Sequence, residues 1–227
     1  MRKLIEKPIR NIGMGTSSLR GKISSSKTNR QHKFESSLER DFIEIVDFND
    51  NVKHYCEQPV TIEYKLDGVS HYYTPDFIVY YNSKTIKPLL CEIKHRKDLK
   101  KNWNELKPKF KAAIQYASNN NWRFKIITEK EIRNQYLENI KFLSNYKEDK
   151  IDRLGFLTGI NEIDFKLLRF NMEEIKITTP EELMFMSTSN KEKQAELLYT
   201  IWYLVANFWV KCDLSKPLTI KSEIWVD

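Results

Sequence analysis

Two short stretches decide the fold: Tyr73-Thr74-Pro75-Asp76-Phe77-Ile78-Val79-Tyr80 and Leu89-Leu90-Cys91-Glu92-Ile93-Lys94. Each sets charged residues beside or inside an apolar run of the length that is typical of a buried strand. Because side chains alternate along a strand, Glu92 and Lys94 are expected on one face while their neighbours point into the core. The pattern therefore predicts two strands that carry Asp76, Glu92 and Lys94.

These three residues match the D…(D/E)-x-K signature of metal-dependent nucleases. Hydrolysis of a phosphodiester requires hard oxygen ligands that hold Mg²⁺ against a phosphate oxygen, and carboxylates supply them. A neighbouring lysine can hydrogen-bond the attacking water and stabilise charge that develops on phosphorus. We predict metal-ligand roles for Asp76 and Glu92 and a catalytic role for Lys94. The competing interpretation is a Pro-Asp turn followed by an ordinary exposed Glu-x-Lys on a strand.

A helix is predicted before the first strand, because apolar residues recur at positions 34, 38, 42, 45 and 46. Glu39 lies near the edge of this buried stripe, where its carboxylate could lean over the sheet. Glu35 is one turn earlier on the same side. Both glutamates could equally be solvated helix charges.

The positive charge of the chain is concentrated at its N-terminus. Of the 38 Lys and Arg residues, nine fall in residues 1–33 against a single acid, so the other 29 basic and 30 acidic residues nearly cancel. The segment is rich in Gly and Ser, which predicts an extended basic arm suited to a polyanion or serving as a solubilising tail. A second basic run spans residues 94–111. The predicted DNA contacts are Arg2, Lys3, Arg20, Lys22, Lys27, Arg30, Lys33, Arg96, Lys97, Lys100 and Lys101.

The order of elements predicts an α/β fold. A strand over 57–64, a turn at 65–68 and a hairpin partner over 71–81 follow the first helix. A strand over 88–94, a helix from Pro108, a strand over 122–127 and a helix over 129–146 complete a mixed sheet flanked by helices.

Five segments, taken in order, resemble the TnsA family, the endonuclease subunits of heteromeric, Tn-seven-like cut-and-paste DNA transposases. They are Phe-Glu-Ser-Ser-Leu-Glu-Arg-Asp at 34–41, Glu-Gln-Pro at 57–59, Tyr-Thr-Pro-Asp-Phe at 73–77, Glu-Ile-Lys at 92–94 and Thr-Glu-Lys-Glu-Ile at 128–132. The resemblance implies a restriction-endonuclease-like catalytic domain, in which Glu39, Asp76 and Glu92 bind metal and Lys94 is catalytic. Some family members have Gln at the position of Glu92.

The resemblance also implies an activity and its partners. The protein would hydrolyse the 5′ ends of the transposon, the strand that is not joined to the target, using two Mg²⁺ ions for which Mn²⁺ could substitute. It would act on double-stranded transposon-end DNA beside an integrase-type (TnsB-like) subunit and a regulatory AAA-type (TnsC-like) ATPase. The rival interpretations are a free-standing restriction or repair nuclease and a non-catalytic DNA-binding assembly subunit.

The 227 residues predict three parts: a basic arm (1–33), a catalytic domain (34–150) and a small, mainly helical C-terminal domain (151–227). The last is winged-helix-like by family resemblance, or a generic helical appendage by sequence alone. It is predicted to bind the ATPase. Trp202 and Trp209 either anchor that partner or fill the core of this domain.

The chain is expected to act in the bacterial cytosol or nucleoid, without a membrane. Its start has no apolar stretch long enough for a signal peptide, and the most apolar run, residues 197–210, is too short to span a bilayer. Cys56, Cys91 and Cys212 are odd in number and widely spaced, as expected for reduced cysteines.

Overall fold

The computed structural model describes residues 4–9, 20–25, 27–147 and 160–227. The chain divides into two compact units, Met1–Arg133 and Asn134–Asp227, called here the N-terminal unit and the C-terminal unit. Within the described ranges, none of the helices combines the length and the apolar character needed to cross a bilayer.

The N-terminal unit is a mixed α/β structure. Its strands are β1 (Gly21–Ser25), β2 (Arg30–Phe34), β3 (Val52–Glu57), β4 (Ile62–Leu66), β5 (Val69–Tyr73), β6 (Phe77–Tyr81), β7 (Leu89–Ile93) and β8 (Arg123–Ile127). Its helices are α1 (Ser37–Phe48), α2 (Arg96–Asn119) and the short α3 (Glu129–Ile132). The predicted α/β fold is confirmed.

The central sheet has four strands in the order β3-β6-β7-β8. Strands β3, β6 and β7 are antiparallel neighbours, whereas β7 and β8 are parallel, with Leu89 opposite Arg123 and Ile93 opposite Ile127. A parallel pair requires a long crossover connection, and α2 provides it. The sheet therefore needs both its local hairpins and this distant pairing to form.

Helix α2 differs from its prediction, since it begins at Arg96 and not near Pro108. The helix is kinked at Asn102, whose φ and ψ angles of −111° and 19° are not helical. Pro108 lies inside the helix and cannot donate to the carbonyl of Asn104. The core face of the helix is formed by Leu106, Phe110, Ala113 and Ala117.

The segment predicted as one strand over 71–81 is two strands separated by Thr74-Pro75-Asp76. Strand β5 pairs only with β4, while β6 pairs with β3 and β7. The β4–β5 hairpin turns at Asp67 and Gly68, both of which have positive φ angles, 50° and 80°. Such angles at both central residues are those of a tight I′ turn, which matches the natural twist of a two-stranded ribbon.

The prediction of an extended arm over 1–33 is wrong for its C-terminal part. Strands β1 and β2 form an antiparallel hairpin in which Gly21 lies opposite Phe34. Its inner side chains are buried, with His32 fully buried and Ser25 nearly so. The prediction rested on composition alone. It failed because a charged strand residue is paired here with an acidic partner that is distant in the sequence. Residues 1–3, 10–19 and 26 lie outside the described residues, and with them Arg2 and Lys3.

That distant partner is Glu57, at the end of β3. Arg30 donates from its two terminal nitrogens to the two Glu57 carboxylate oxygens at 3.0 and 2.6 Å, and His32 Nδ1 lies 2.7 Å from Oε2. The imidazole also stacks on Tyr55 at a ring distance of 4.2 Å. Burial by itself would raise the pKa of Glu57, but the hydrogen bonds from His32 and Arg30 outweigh burial and lower it to about 2.

The C-terminal unit is mainly helical. Its elements are α4 (Gln135–Leu143), a 3₁₀ turn (Ser144–Tyr146), α5 (Glu162–Ile175), β9 (Ile177–Thr178), α6 (Pro180–Ser187), α7 (Lys191–Ala206), β10 (Lys211–Cys212) and β11 (Ile224–Trp225). The three short strands form an antiparallel sheet in the order β10-β11-β9. Thr179 and Glu182 cap α6 reciprocally, and Pro180 is its first residue.

The C-terminal unit begins at Asn134, before the predicted boundary at 150/151. The reason is a buried amide on α4. Asn139 Nδ2 donates to the carbonyls of Leu214 and Lys216 at 2.9 and 2.7 Å, and its oxygen accepts from the Leu218 N–H at 3.3 Å. These bonds join α4 to the segment between β10 and β11, a pairing that local sequence does not reveal.

The Glu57→Gln substitution tests the hairpin anchor. It leaves the partly buried Arg30 and the fully buried His32 without their anionic partner, so the free energy of unfolding should fall by about 3 kcal/mol. Because the native pKa of Glu57 is about 2 and its ordinary value is 4.5, its contribution is present above pH 4.5 and is lost as pH falls towards 2. Urea denaturation between pH 3 and pH 7 should show the difference between wild type and variant narrowing in acid.

The matched control is Glu105→Gln, which removes an exposed carboxylate paired with Lys109. Exposed pairs of this kind contribute under about 1 kcal/mol. Equal destabilisation by both substitutions would contradict the anchoring role of Glu57.

Candidate active site

Asp76 lies in the short connection between β5 and β6, immediately before Phe77. Its carboxylate Oδ2 accepts a hydrogen bond from the Ile93 N–H at 2.6 Å, which ties it to the end of β7. Burial raises the pKa of Asp76 well above its usual range, and the neighbouring Glu92 and Glu39 carboxylates raise it further. Asp76 is therefore held next to two other acids at the edge of the central sheet.

Glu92 is buried on β7, and each of its oxygens has a partner. Tyr73 donates its hydroxyl to Oε2 at 2.7 Å, and Lys94 Nζ lies 3.1 Å from Oε1. Burial alone would lower the pKa of Lys94, but Glu92 and Asp76 outweigh burial and raise it. Lys94 thus stays cationic beside the carboxylates, and its backbone N–H continues the parallel ladder by donating to Ile127 at 3.1 Å.

Glu39 occupies the first turn of α1, where it has a structural role. Its Oε1 accepts from the Ser36 hydroxyl at 2.8 Å and its Oε2 accepts from the Glu35 N–H at 2.8 Å. Burial raises the pKa of Glu39, and the Glu35 charge adds to that effect, while these hydrogen bonds and Lys94 oppose it. Lys94 lowers the pKa of Glu39, and Glu39 raises that of Asp76, so the four predicted site residues lie near enough to influence one another electrostatically.

The donor set suits magnesium in its chemistry, since Glu39, Asp76 and Glu92 offer only hard carboxylate oxygens. The mutual repulsion that raises the pKa of Asp76 is the kind of surplus negative charge that a divalent cation neutralises. Among the residues that the structure describes, however, no three acidic, His or Cys side chains are already arranged to hold a metal ion. Both oxygens of Glu39 and of Glu92 are engaged in hydrogen bonds or an ion pair, and each oxygen keeps a second lone pair that could coordinate a metal ion.

Two residues at the site were not assigned roles from the sequence. Tyr73 orients Glu92, and its position as the third residue of a predicted strand gave no signal of this. Gln58 donates its backbone N–H to the Asp76 carbonyl at 2.7 Å from a left-handed conformation, with φ at 43°. Its side chain is buried, and its amide oxygen has no hydrogen-bond partner among the described residues. The Glu-Gln-Pro segment was the available signal, because a buried Gln needs partners.

The predicted DNA contacts separate into exposed and engaged residues. Lys22, Lys97, Lys100 and Lys101 are exposed. The engaged residues are Arg20 with Glu35, Lys27 with the Asn49 carbonyl, and Arg96 with Glu129. Lys33 is partly buried and also has interactions. Both terminal nitrogens of the Arg30 guanidinium donate to the buried Glu57, so Arg30 supports the fold, and its DNA contact stays a prediction.

Comparison with protein families agrees with this geometry. Residues 49–129 match the family described as TnsA-like endonuclease N terminal. The chain therefore contains a segment similar to the N-terminal domain of TnsA-like endonucleases. The matched segment contains Asp76, Glu92 and Lys94 and strands β3 to β8, so the mixed sheet of the N-terminal unit is that of a restriction-endonuclease-like domain. Glu39 precedes the matched segment. No curated protein matches the chain.

The Asp76→Asn substitution tests the charge crowding at the TnsA-like site. An asparagine oxygen can still accept from the Ile93 N–H, while the repulsion with Glu92 and Glu39 is removed. We expect the metal-free protein to gain roughly 0.5–2 kcal/mol in free energy of unfolding, as is common when strain at an active site is relieved. Thermal and urea denaturation in the presence of a chelator measure the change.

Asp50→Asn is the matched control, since Asp50 is exposed. It should leave stability within about 0.5 kcal/mol of wild type. A loss of stability in Asp76→Asn that exceeds the control would show that the three carboxylates do not repel one another as described.

Proposed function

We propose that this TnsA-like subunit is a Mg²⁺-dependent endonuclease of a cut-and-paste transposase, which hydrolyses the non-transferred strand at the 5′ ends of the element. The observation that supports the proposal is the convergence of Lys94 with Glu92 and Asp76 inside the matched segment. Water is the nucleophile. The cytosol or nucleoid, where its DNA substrate lies, is the proposed location.

The residues of the chain have distinct tasks in this chemistry. Asp76, Glu92 and Glu39 would hold Mg²⁺, with two ions proposed and Mn²⁺ as a substitute, and the metal would supply Lewis-acid stabilisation and activate water. Lys94 would donate hydrogen bonds to oxygens at phosphorus as negative charge develops there. Tyr73 holds one Glu92 oxygen at 2.7 Å and thereby fixes the direction of the other.

The Lys94→Ala substitution tests its role in the transition state. Loss of one such donor typically lowers kcat by about 10²–10³-fold, and the effect should persist at saturating DNA. Lys100→Ala, which removes an exposed lysine on the first turns of α2, should mainly raise KM. Nicking of an element-end duplex is measured with Mg²⁺ or Mn²⁺ in the presence of the partner subunits. Equal effects on kcat from both substitutions would make Lys94 only another phosphate contact.

Asp76→Ala should abolish nicking in the same assay, while DNA association is nearly retained, because only one anionic ligand is removed. Nicking at the wild-type rate would refute the metal-site assignment. It would also leave the non-catalytic assembly subunit as the better interpretation.

The C-terminal unit is proposed to be a winged-helix module that binds the regulatory ATPase. Support comes from its order of helix, strand, helix, helix, strand, strand from α5 to β11, with β11 central in the sheet. Trp202 is 5% exposed and belongs to the core of this unit, whereas Trp209 is 47% exposed beneath the Arg169 guanidinium. Only Trp209 therefore remains a candidate anchor. The integrase-type subunit is the second proposed partner.

An exposed apolar stripe on α5 offers the more direct surface for the ATPase. Ile163 and Phe170 are 75% and 62% exposed, and Leu167 lies between them at helical spacing. Large exposed apolar patches commonly mark protein contacts. The surface proposed for the ATPase is this stripe.

The double substitution Ile163→Asp with Phe170→Asp tests the stripe in the full-length protein. ATPase association in a pull-down should fall at least tenfold, because charge replaces the apolar contact, while the exposed positions leave folding intact. The control is Ile114→Asp, at a 56% exposed isoleucine on α2. Unchanged association in the double variant would refute the stripe as the docking surface.

A further inference from the structure

A groove runs between strand β4 and one face of helix α2, within the N-terminal unit. It encloses about 690 Å³ and is lined on one side by residues 62–66 of the strand. The helix side presents Asn104, Lys107, Lys111, Gln115 and Asn119. These positions recur every three or four residues, so they form one continuous face that is separate from the core face of α2.

The groove is cationic and rich in hydrogen-bond donors. Lys65, Lys107 and Lys111 are exposed at its walls, and Glu63 is the one acid that lines it. None of these three lysines forms an ion pair with another residue of the described ranges. Side-chain amides add further donors along the helix. The chemistry of the walls therefore suits an anionic ligand that carries many acceptor oxygens.

The length of the groove suits a polymer. From Asn104 to Asn119 the helix rises by about 22 Å, at about 1.5 Å per residue. A sugar-phosphate backbone that follows a face of this length could place several consecutive phosphates against it. A small anion would use only a fraction of this surface.

The groove is also linked rigidly to the active site. Its first strand residue, Ile62, pairs with Tyr73 across the β4–β5 hairpin, and Tyr73 donates to Glu92. On the helix side, α2 begins two residues after Lys94. A nucleic-acid backbone lying in the groove would therefore be held in a fixed relation to the reacting phosphate.

We propose that the β4–α2 groove binds the sugar-phosphate backbone of duplex DNA flanking the cleaved bond, with Lys65, Lys107 and Lys111 contacting phosphates. The inference rests on the proposed nuclease function and extends it from the reacting centre to the binding of substrate. An acidic protein surface has the same charge. DNA is favoured for two reasons. Tyr73 connects the groove to the carboxylate site, because it pairs with Ile62 and donates to Glu92. Contacts to the phosphate backbone also position a duplex without reading its bases.

The test compares two triple variants of equal charge in the full-length protein. The groove variant carries Lys65→Gln, Lys107→Gln and Lys111→Gln. The control carries Lys53→Gln, Lys84→Gln and Lys87→Gln, at exposed lysines near the Tyr81 end of the sheet, the end opposite Asp76. Binding of a mixed-sequence duplex is followed by fluorescence anisotropy over a range of salt concentrations, and thermal unfolding confirms that both variants are folded.

Each lost phosphate contact should lower the slope of log K against log salt by about 0.9, so the groove variant should lose between about two and three in slope. The control should lose less than one. In the nicking assay the groove variant should raise KM for the duplex by more than it lowers kcat, since the groove binds substrate and does not touch the reacting atoms.

A slope equal to that of the control would overturn the proposal. So would a groove variant that binds duplex normally but loses association with the integrase-type subunit, because that outcome assigns the groove to an acidic protein. The binding measurement requires no cleavage. If the wild-type protein binds duplex with a groove-dependent slope and yet never nicks it, the proposed function fails while the groove assignment stands.

Discussion

Three acidic side chains from separate elements of the N-terminal unit lie close enough that Glu92 and Glu39 add to the effect of burial and raise the pKa of Asp76. Glu39 comes from a helix, Asp76 from the connection between two strands and Glu92 from the middle of the sheet, and no local interaction would bring them together. Each is restrained by donors: Ser36 and the Glu35 N–H for Glu39, the Ile93 N–H for Asp76, and Tyr73 with Lys94 for Glu92. Packing and hydrogen bonding in the surrounding sheet and helices hold the three carboxylates together against their mutual repulsion.

The sheet topology explains how the backbone around the candidate site is held in place. Strand β7 lies between antiparallel β6 and parallel β8, so its backbone is fixed on both sides. Lys94 extends the parallel ladder by one bond to Ile127. The carboxylate–lysine pair is thus placed at the end of a strand that is hydrogen-bonded to a neighbour on each side. Rigid elements position reacting groups better than loops do.

The two outer hairpins of the N-terminal unit, β1–β2 and β4–β5, differ in what their side chains contact. The β1–β2 hairpin is anchored through the contacts of Arg30 and His32 with the buried Glu57. The β4–β5 hairpin instead leaves its outer positions exposed and shares a groove with α2. The two hairpins therefore differ in their contacts. The β1–β2 hairpin contacts the buried Glu57, whereas the β4–β5 hairpin lines the groove.

The sequence by itself determined the class of fold and predicted the candidate site residues. Alternation in Leu89-Leu90-Cys91-Glu92-Ile93-Lys94 and the spacing to Asp76 required strands that bear carboxylates and a lysine, because the side-chain period of a strand is local. Tertiary structure decided what depends on distant partners. Arg30 and Glu57, Tyr73 and Glu92, and Asn139 with Leu214 are pairs that no short-range periodicity encodes. Because of these hydrogen bonds, part of the predicted arm is a hairpin, Tyr73 belongs to the candidate site and α4 belongs to the C-terminal unit. Burial likewise separated Trp202 from Trp209, since two like residues seven positions apart differ only in what the fold packs against them.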